Sequence, residues 1–301
     1  MKQRPNRPNG LLVPLTTPFD SATGDIAPIH LRDNSRALLD VGVDGLVACG
    51  TTGEAALLSE EEYRNVVSWL RDVVPGDRWL IAGAGRESTR ATISACRVAA
   101  DEGADAVLVR APAYYAPSLT GAALTTHFER VADESPVPVL LYNMPKYTHI
   151  AMTDSLFSSL ADHSNIWGAK DSSGDIKNFA GYRDAVPHWT LLVGSGALYY
   201  AALEMGGAGA IAATGCFAAR QTLEIGVAFA ADDRRRAGAA QEVVAPLHRE
   251  IVGCFGVAGV KAAVDFVGLA GGPVRPPLRD LPDKDRDKVR GILRPAGPAS
   301  D

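Results

Sequence analysis

The residues best placed to do chemistry stand where apolar runs end. In "WGAKDSSGD", Trp167 to Asp175, a lysine closes such a run. Seven of the 30 basic residues are lysines, and the other six lie among polar, charged or proline neighbours or in a late helix-like segment. An amine at Lys170 facing a cavity is partly desolvated, which makes its neutral, nucleophilic form accessible for imine formation with a carbonyl compound. The alternative is a rim lysine paired with Asp171 or Asp175, and position alone does not separate the two. Tyr142 closes the run in "LLYNMP". A phenol there either relays protons or is a core aromatic with a satisfied hydroxyl.

Other run ends carry anion-binding or ligand-facing signals. In "GTTGE", Gly50 to Glu54, glycines flank Thr51 and Thr52 and permit a tight turn. Its N–H groups and hydroxyls can converge on a carboxylate, or it is an ordinary βα turn. "VGSGA" offers the backbone of Gly194 and Ser195 to a ligand, or is a simple turn. Tyr114 and Tyr115 sit on the proline-bounded "APAYYAPS", which suits a catalytic mouth or a subunit contact.

The elements that must position these residues follow from the hydrophobic pattern. Strand-length apolar runs begin near residues 10, 44, 79, 105, 137, 165, 190 and 208. They are continuous rather than alternating, as parallel strands covered on both faces require, and helix-like segments separate them. The clearest helices are expected over 29–41, 59–74, 89–102, 120–134, 153–161 and 198–205, with Ser59 before Glu60, Glu61 and Glu62 as an N-terminal cap. Eight βα units in that span predict an α/β fold, a (β/α)8 TIM barrel with a C-terminal helical extension, over an open doubly wound sheet. Residues 1–9 and 294–301 are expected as flexible tails, 10–230 as the barrel and 231–293 as the extension, broken at "GGPVRPPL".

Composition removes several function classes. The chain has 301 residues, 47% apolar, a formal charge of −5 and a pI near 5.7, which gives no global electrostatic reason to bind nucleic acid or an anionic membrane. Arg234, Arg235 and Arg236 follow Asp232 and Asp233 and are expected as a mixed-charge helix face. Scattered cysteines at 49, 96, 216 and 254, and histidines without metal-site spacing, indicate neither a zinc site nor a disulfide framework. The polar start and the lack of about eighteen uninterrupted apolar residues predict a cytoplasmic protein. "GAGRES" and "GCFGVAGVK" lack the full spacing of nucleotide-binding loops, and "VGSGA" is not a hydrolase elbow.

In order, "GTTGE", "PAYY", "YNMP", "GAKDSSGD", "GSGALYYAALEMGGAGAIAAT" and "GGPVRPPL" resemble the pyruvate-dependent class I aldolases typified by dihydrodipicolinate synthase and N-acetylneuraminate lyase. The resemblance covers about Gly10 to Leu281. It implies a Schiff base between Lys170 and pyruvate or another 2-oxo acid, and proton relay by Tyr142. It also implies a carboxylate anchor at Thr51 and Thr52, and Tyr114 as a second tyrosine reaching a neighbouring subunit's site. Gly194, Ser195, Ile211 and Tyr147 complete the expected substrate-binding set. A homotetramer of paired dimers is implied, with no metal or organic cofactor. Synthases of the family carry an arginine two positions after the motif proline, where this chain has Tyr147, next to Lys146. "KDSSGD" and "GGPVRPPL" look more like 4-hydroxy-2-oxoglutarate aldolase and the sugar-acid members. The expected activity is therefore cleavage or formation of a 4-hydroxy-2-oxo acid. The alternatives are dihydrodipicolinate synthesis, dehydration or deamination of a sugar-derived 2-oxo acid, and a non-catalytic metabolite-binding barrel.

Overall fold

The computed structural model describes residues 6–294. Eight short strands run β1 Gly10–Pro14, β2 Gly45–Ala48, β3 Trp79–Gly83, β4 Ala106–Arg110, β5 Val139–Asn143, β6 Ile166–Asp171, β7 Thr190–Val193 and β8 Gly209–Ile211. Each pairs in parallel with the next, and β8 returns to β1, closing a TIM barrel. Every strand is buried at nearly all positions because one face fills the barrel and the other meets helices. Inside, Leu12, Val47, Ile81, Leu108, Leu140, Leu192 and Ile211 form a separate packed cluster beneath the mouth. Each such side chain contributes about 1.5–3 kcal/mol by leaving water.

The barrel helices are α1 Pro28–Val41, α2 Glu60–Arg71, α3 Thr89–Asp101, α4 Gly121–Glu134, α5 Pro145–Thr148, α6 Asp154–Leu160, α7 Ile176–Ala185, α8 Tyr199–Glu204 and α9 Ala219–Ala230. Their starts are written in polar side chains. Ser59 accepts from the Glu62 N–H at 3.1 Å while the Glu62 carboxylate accepts from the Ser59 N–H at 2.8 Å, a reciprocal box that satisfies two otherwise orphaned donors. Ser88, Thr120, Thr153 and Asp175 cap α3, α4, α6 and α7 in the simpler one-way manner.

Beyond the barrel lie α10 Arg234–Leu247, a π-helical segment His248–Gly253, α11 Cys254–Phe266 and α12 Asp283–Leu293. The run Arg234–Phe266 is 33 residues long and meets the length and composition of a membrane span, although Arg249 and Glu250 interrupt its apolar residues. Its apolar side is used within this fold: Ala237, Val244, Leu247, Ile251 and Val260 are buried. Pro246 lies inside α10, and Gly256 (φ 57°, ψ −143°) breaks α11, so the run is not one straight rod. The arginines behave as a mixed-charge face: Arg236 pairs with Glu224, and Arg234 pairs with Asp232 and lies over Phe229.

Of the expected tails, residues 1–5 and 295–301 lie outside the described residues. Residues 6–9 are not free: the Arg7 guanidinium donates to the carbonyls of His188 at 2.9 Å and Trp167 at 3.3 Å. Sequence alone missed this because the anchor is a single arginine in an otherwise polar, proline-rich stretch.

Candidate active site

Lys170 and Tyr142 reach the same wall because β5 and β6 pair in register there, Tyr142 opposite Lys170. Paired residues on parallel strands project to the same side, here the barrel mouth. The Lys170 Nζ lies 4.2 Å from the centroid of the Tyr142 ring. Lys170 is 6% exposed, and no carboxylate among the described residues lies within ion-pair distance of it. The rim ion pair is thus ruled out geometrically. Asp171 points the other way, where Asn143 donates to it at 2.8 Å and the Ser173 hydroxyl at 2.8 Å, while Asp175 caps α7. Burial pushes the Asp171 carboxyl up despite those hydrogen bonds.

The Tyr142 hydroxyl is 3.3 Å from the Thr51 hydroxyl. Burial raises the phenol's proton affinity, but the Lys170 charge, with hydrogen bonds involving Thr51, Ser172 and Lys170, brings it below the ordinary tyrosine value. Thr51 follows β2 in a turn closed by the Gly53 N–H on the Gly50 carbonyl at 3.1 Å and the Glu54 N–H on the Thr51 carbonyl at 3.1 Å. The N–H groups of Thr51 and Thr52 meet no protein acceptor among the described residues. They are free donors at the edge of the site.

A cavity of about 230 Å³ gathers Thr51, Thr52, Tyr142, Tyr147, Lys170, Gly194, Ser195 and Ile211, so the expected site residues converge with one exception. Tyr114 is 79% exposed on the loop after β4, packed edge to face on Tyr115, and does not line its own chain's cavity. Gly194 has a steric reason to be glycine: a Cβ there would collide with the Ser172 hydroxyl and stand 3.0 Å from the Lys170 Cε. Ile211 closes the floor at the end of β8.

Sequence reasoning missed Ser172 and His248. Ser172 stands two residues past Lys170, on the same face of an extended segment, and that spacing was available as a signal. His248 comes from the π-helical segment of the C-terminal extension. Its ring Nδ1 accepts from the Gly196 N–H at 3.2 Å, and burial, helped by Arg249 and Lys146, pushes its pKa down to about 4. No group of three or more metal-ligating side chains occurs among the described residues.

Residues 7–296 match the Dihydrodipicolinate synthetase family over nearly the whole chain. The chain belongs to this family. It is an enzyme, a lyase of the class I aldolase kind. Among its relatives, the 4-hydroxy-tetrahydrodipicolinate synthase of Methanopyrus kandleri is 36% identical, covering 96% of each chain. An uncharacterized DapA-like lyase of Halobacterium salinarum is also 36% identical, covering 96% of this chain and 94% of the relative. Among solved structures, YagE of Escherichia coli K12, a prophage protein of the dihydrodipicolinic acid synthase family in complex with pyruvate, superposes with a TM-score of 0.90. It is 29% identical over 97% of this chain and 99% of its own.

Proposed function

We propose that this family member forms an imine between Lys170 and pyruvate or a related 2-oxo acid and uses it to cleave or make a 4-hydroxy-2-oxo acid. The observation that carries the reading is the buried Lys170 amine, with no carboxylate partner among the described residues and 4.2 Å from the centre of the Tyr142 ring. The pyruvate-bound family structure supports it. Lys170 attacks C2 of the oxo acid and water leaves, giving an iminium that acts as an electron sink. Tyr142, as its phenolate, takes the proton of the C4 hydroxyl, the C3–C4 bond breaks, and its electrons form an enamine as the aldehyde departs; Tyr142 can then return that proton to C3. Protonation at C3 and hydrolysis then release the 2-oxo acid and regenerate the amine. A pKa below the ordinary tyrosine value makes the phenolate that this step needs more accessible. Thr51 and Thr52, with free N–H groups and hydroxyls, anchor C1, and Thr51 also orients Tyr142. Gly194, Ser195, Ile211 and Tyr147 shape the rest of the pocket.

The exposed Tyr114 supports a role in a neighbouring copy's site within the proposed homotetramer of paired dimers; a cytoplasmic location is proposed with it, and the reaction as written needs no cofactor beyond the imine. The domain boundaries proposed are barrel to residue 230 and helical extension over 231–293. A second reading, condensation of pyruvate with a semialdehyde to 4-hydroxy-tetrahydrodipicolinate, is favoured by the name of the Methanopyrus relative. Tyr147, in place of the arginine, weighs against it, since a phenol cannot act as a bidentate clamp.

Borohydride reduction in the presence of pyruvate, followed by peptide mass spectrometry, tests the imine. The expected result is a reduced pyruvyl adduct on Lys170, and an unmodified Lys170 sinks the reading. Incubation with pyruvate and a panel of aldehydes then separates aldol formation from the semialdehyde condensation.

A further inference from the structure

We infer that Asn143 and Asp171 are positioning residues: joined side chain to side chain behind the cavity, they fix the register that sets Tyr142 opposite Lys170, and so act on every step that needs both groups at once. This deepens the imine reading and rests on it.

The seam between β5 and β6 is where register is most open to error. β5 pairs evenly with β4, and β6 with β7, but between β5 and β6 the partners run Val139 with Ile166 and then Leu140 with Gly168, which leaves Trp167 as an extra residue on β6. An irregularity of this kind interrupts the ladder, and a slip of one position turns every side chain beyond it to the other face. Lys170 lies just past it. Its place on the cavity wall therefore depends on what holds the two strands in step.

Asn143 and Asp171 do so. They follow Tyr142 and Lys170 by one position, so their side chains point to the opposite face, and neither lines the cavity. In the observed register they stand directly opposite one another, and the Asn143 amide donates to the Asp171 carboxylate at 2.8 Å. Asn143 is fully buried, and both ends of its side chain are engaged: the amide also donates to the Tyr182 hydroxyl at 3.0 Å, and the side-chain carbonyl accepts from the Met152 N–H at 3.0 Å. The Tyr182 hydroxyl donates in turn to the Met152 carbonyl at 2.6 Å. The link is thus tied to α7 and to the segment before α6. A slipped register would strand these buried polar groups without partners, and that cost favours the register in which Tyr142 faces Lys170.

Imine formation needs Lys170 alone, whereas proton transfer at C3 needs the Tyr142 oxygen at a set place beside the bound imine. Loosening the seam therefore slows proton transfer and spares the adduct. Burial pushes the Asp171 carboxyl up, in keeping with a site where an uncharged acceptor of the same shape also serves.

The test follows pyruvate in deuterated water by NMR with the full chain. With pyruvate held as the imine, a C3 proton passes to the Tyr142 phenolate, the C–H electrons form the enamine, and return of a deuteron labels C3. Asp171→Ala and Asn143→Ala, each assayed below its own melting temperature, should lower kcat for exchange by about 10-fold to 10²-fold, with KM for pyruvate and the borohydride adduct unchanged. Asp171→Asn should exchange at nearly the native rate, and adding Asp171→Ala to Tyr142→Phe should slow the residual exchange no further. Asp171→Ala leaves Asn143 its bonds to Tyr182 and Met152, so it carries the test if Asn143→Ala does not fold. Native exchange rates in Asp171→Ala, an equal loss of exchange and adduct, or an Asp171→Asn variant as slow as Asp171→Ala would overturn the inference, as would a native protein that forms the adduct but does not exchange. Trapping of the native protein judges the imine by itself, whereas the exchange rates judge the register.

Discussion

Lys170 and Lys261 are both withdrawn from water, at 6% and 2% exposure, yet their surroundings are opposite. Lys261, on α11, pairs with the equally buried Glu54 at 2.6 Å, donates to the Pro273 carbonyl at 2.6 Å and lies over the Phe19 ring. Burial pushes its proton affinity down, and Glu54 only partly restores it. Lys170 has an aromatic ring, two hydroxyls nearby and a cavity instead of a carboxylate. Burial alone therefore does not fit a lysine for the imine role proposed for Lys170. The partner decides, because a carboxylate neighbour consumes both the charge and the space that a carbonyl substrate would need.

The paired lysine still serves the site at one remove. Glu54 ends the threonine turn in a left-handed conformation (φ 56°), and its carboxylate also accepts from the Arg275 N–H at 2.8 Å. The Arg275 guanidinium in turn grips both oxygens of Glu62 at 2.7 Å. In this way "GGPVRPPL" braces the turn that carries Thr51 and Thr52 from behind.

Exchanging the two lysines' fates is the sharpest way to break the contrast. Lys170→Ala should lower kcat by on the order of 10⁴-fold or more and abolish the borohydride adduct, with a melting temperature no lower than native. An active, trappable variant would end the distinction. Tyr142→Phe should keep the adduct and lose about 10²–10⁴-fold in kcat, since it removes the proton acceptor and leaves the imine. Equal loss of trapping and turnover would show that the ring only packs Lys170.

Lys261→Met should do the reverse of Lys170→Ala, costing about 3–5 kcal/mol in urea unfolding because Glu54 is left buried and unpaired. Adding Glu54→Gln should return part of that loss, and a single variant as stable as native would contradict the structural role. The smallest effect expected is in the pH dependence. His127 and His248 are each pushed down to about 4 by burial, so the unfolded chain binds protons there that the folded one does not. Stability is full above about pH 6.5 and falls as pH drops toward 4, by about 2 kcal/mol per histidine at about pH 4.5. His127→Asn should remove roughly half of that loss, and an unchanged acid profile would refute it.

The barrel was legible because strands buried on both faces must be written as continuous apolar runs, and the runs near residues 10 through 208 became the eight strands. Lys170, Tyr142 and the Thr51–Thr52 turn were legible for a related reason. A polar residue that ends such a run costs free energy unless it has a partner or a task. Lys261 was hidden because "GVKAAVDF" reads as an ordinary helix, and its carboxylate lies 207 positions away at Glu54. His248 was hidden because nothing in "APLHREI" announces a π-helical turn aimed at a cavity.

Local pattern thus determined the elements, their parallel order and which side chains end the strands, since period and run length are properties of neighbouring residues. Only the closed barrel decided which of those ends face one another. Register sets Tyr142 opposite Lys170, a missing Cβ at Gly194 makes room for the amine, and the C-terminal helices bring Lys261 and His248 across long sequence separations. Whether a buried charge meets a carboxylate or a cavity is a property of that three-dimensional closure, and it is what separates the two lysines.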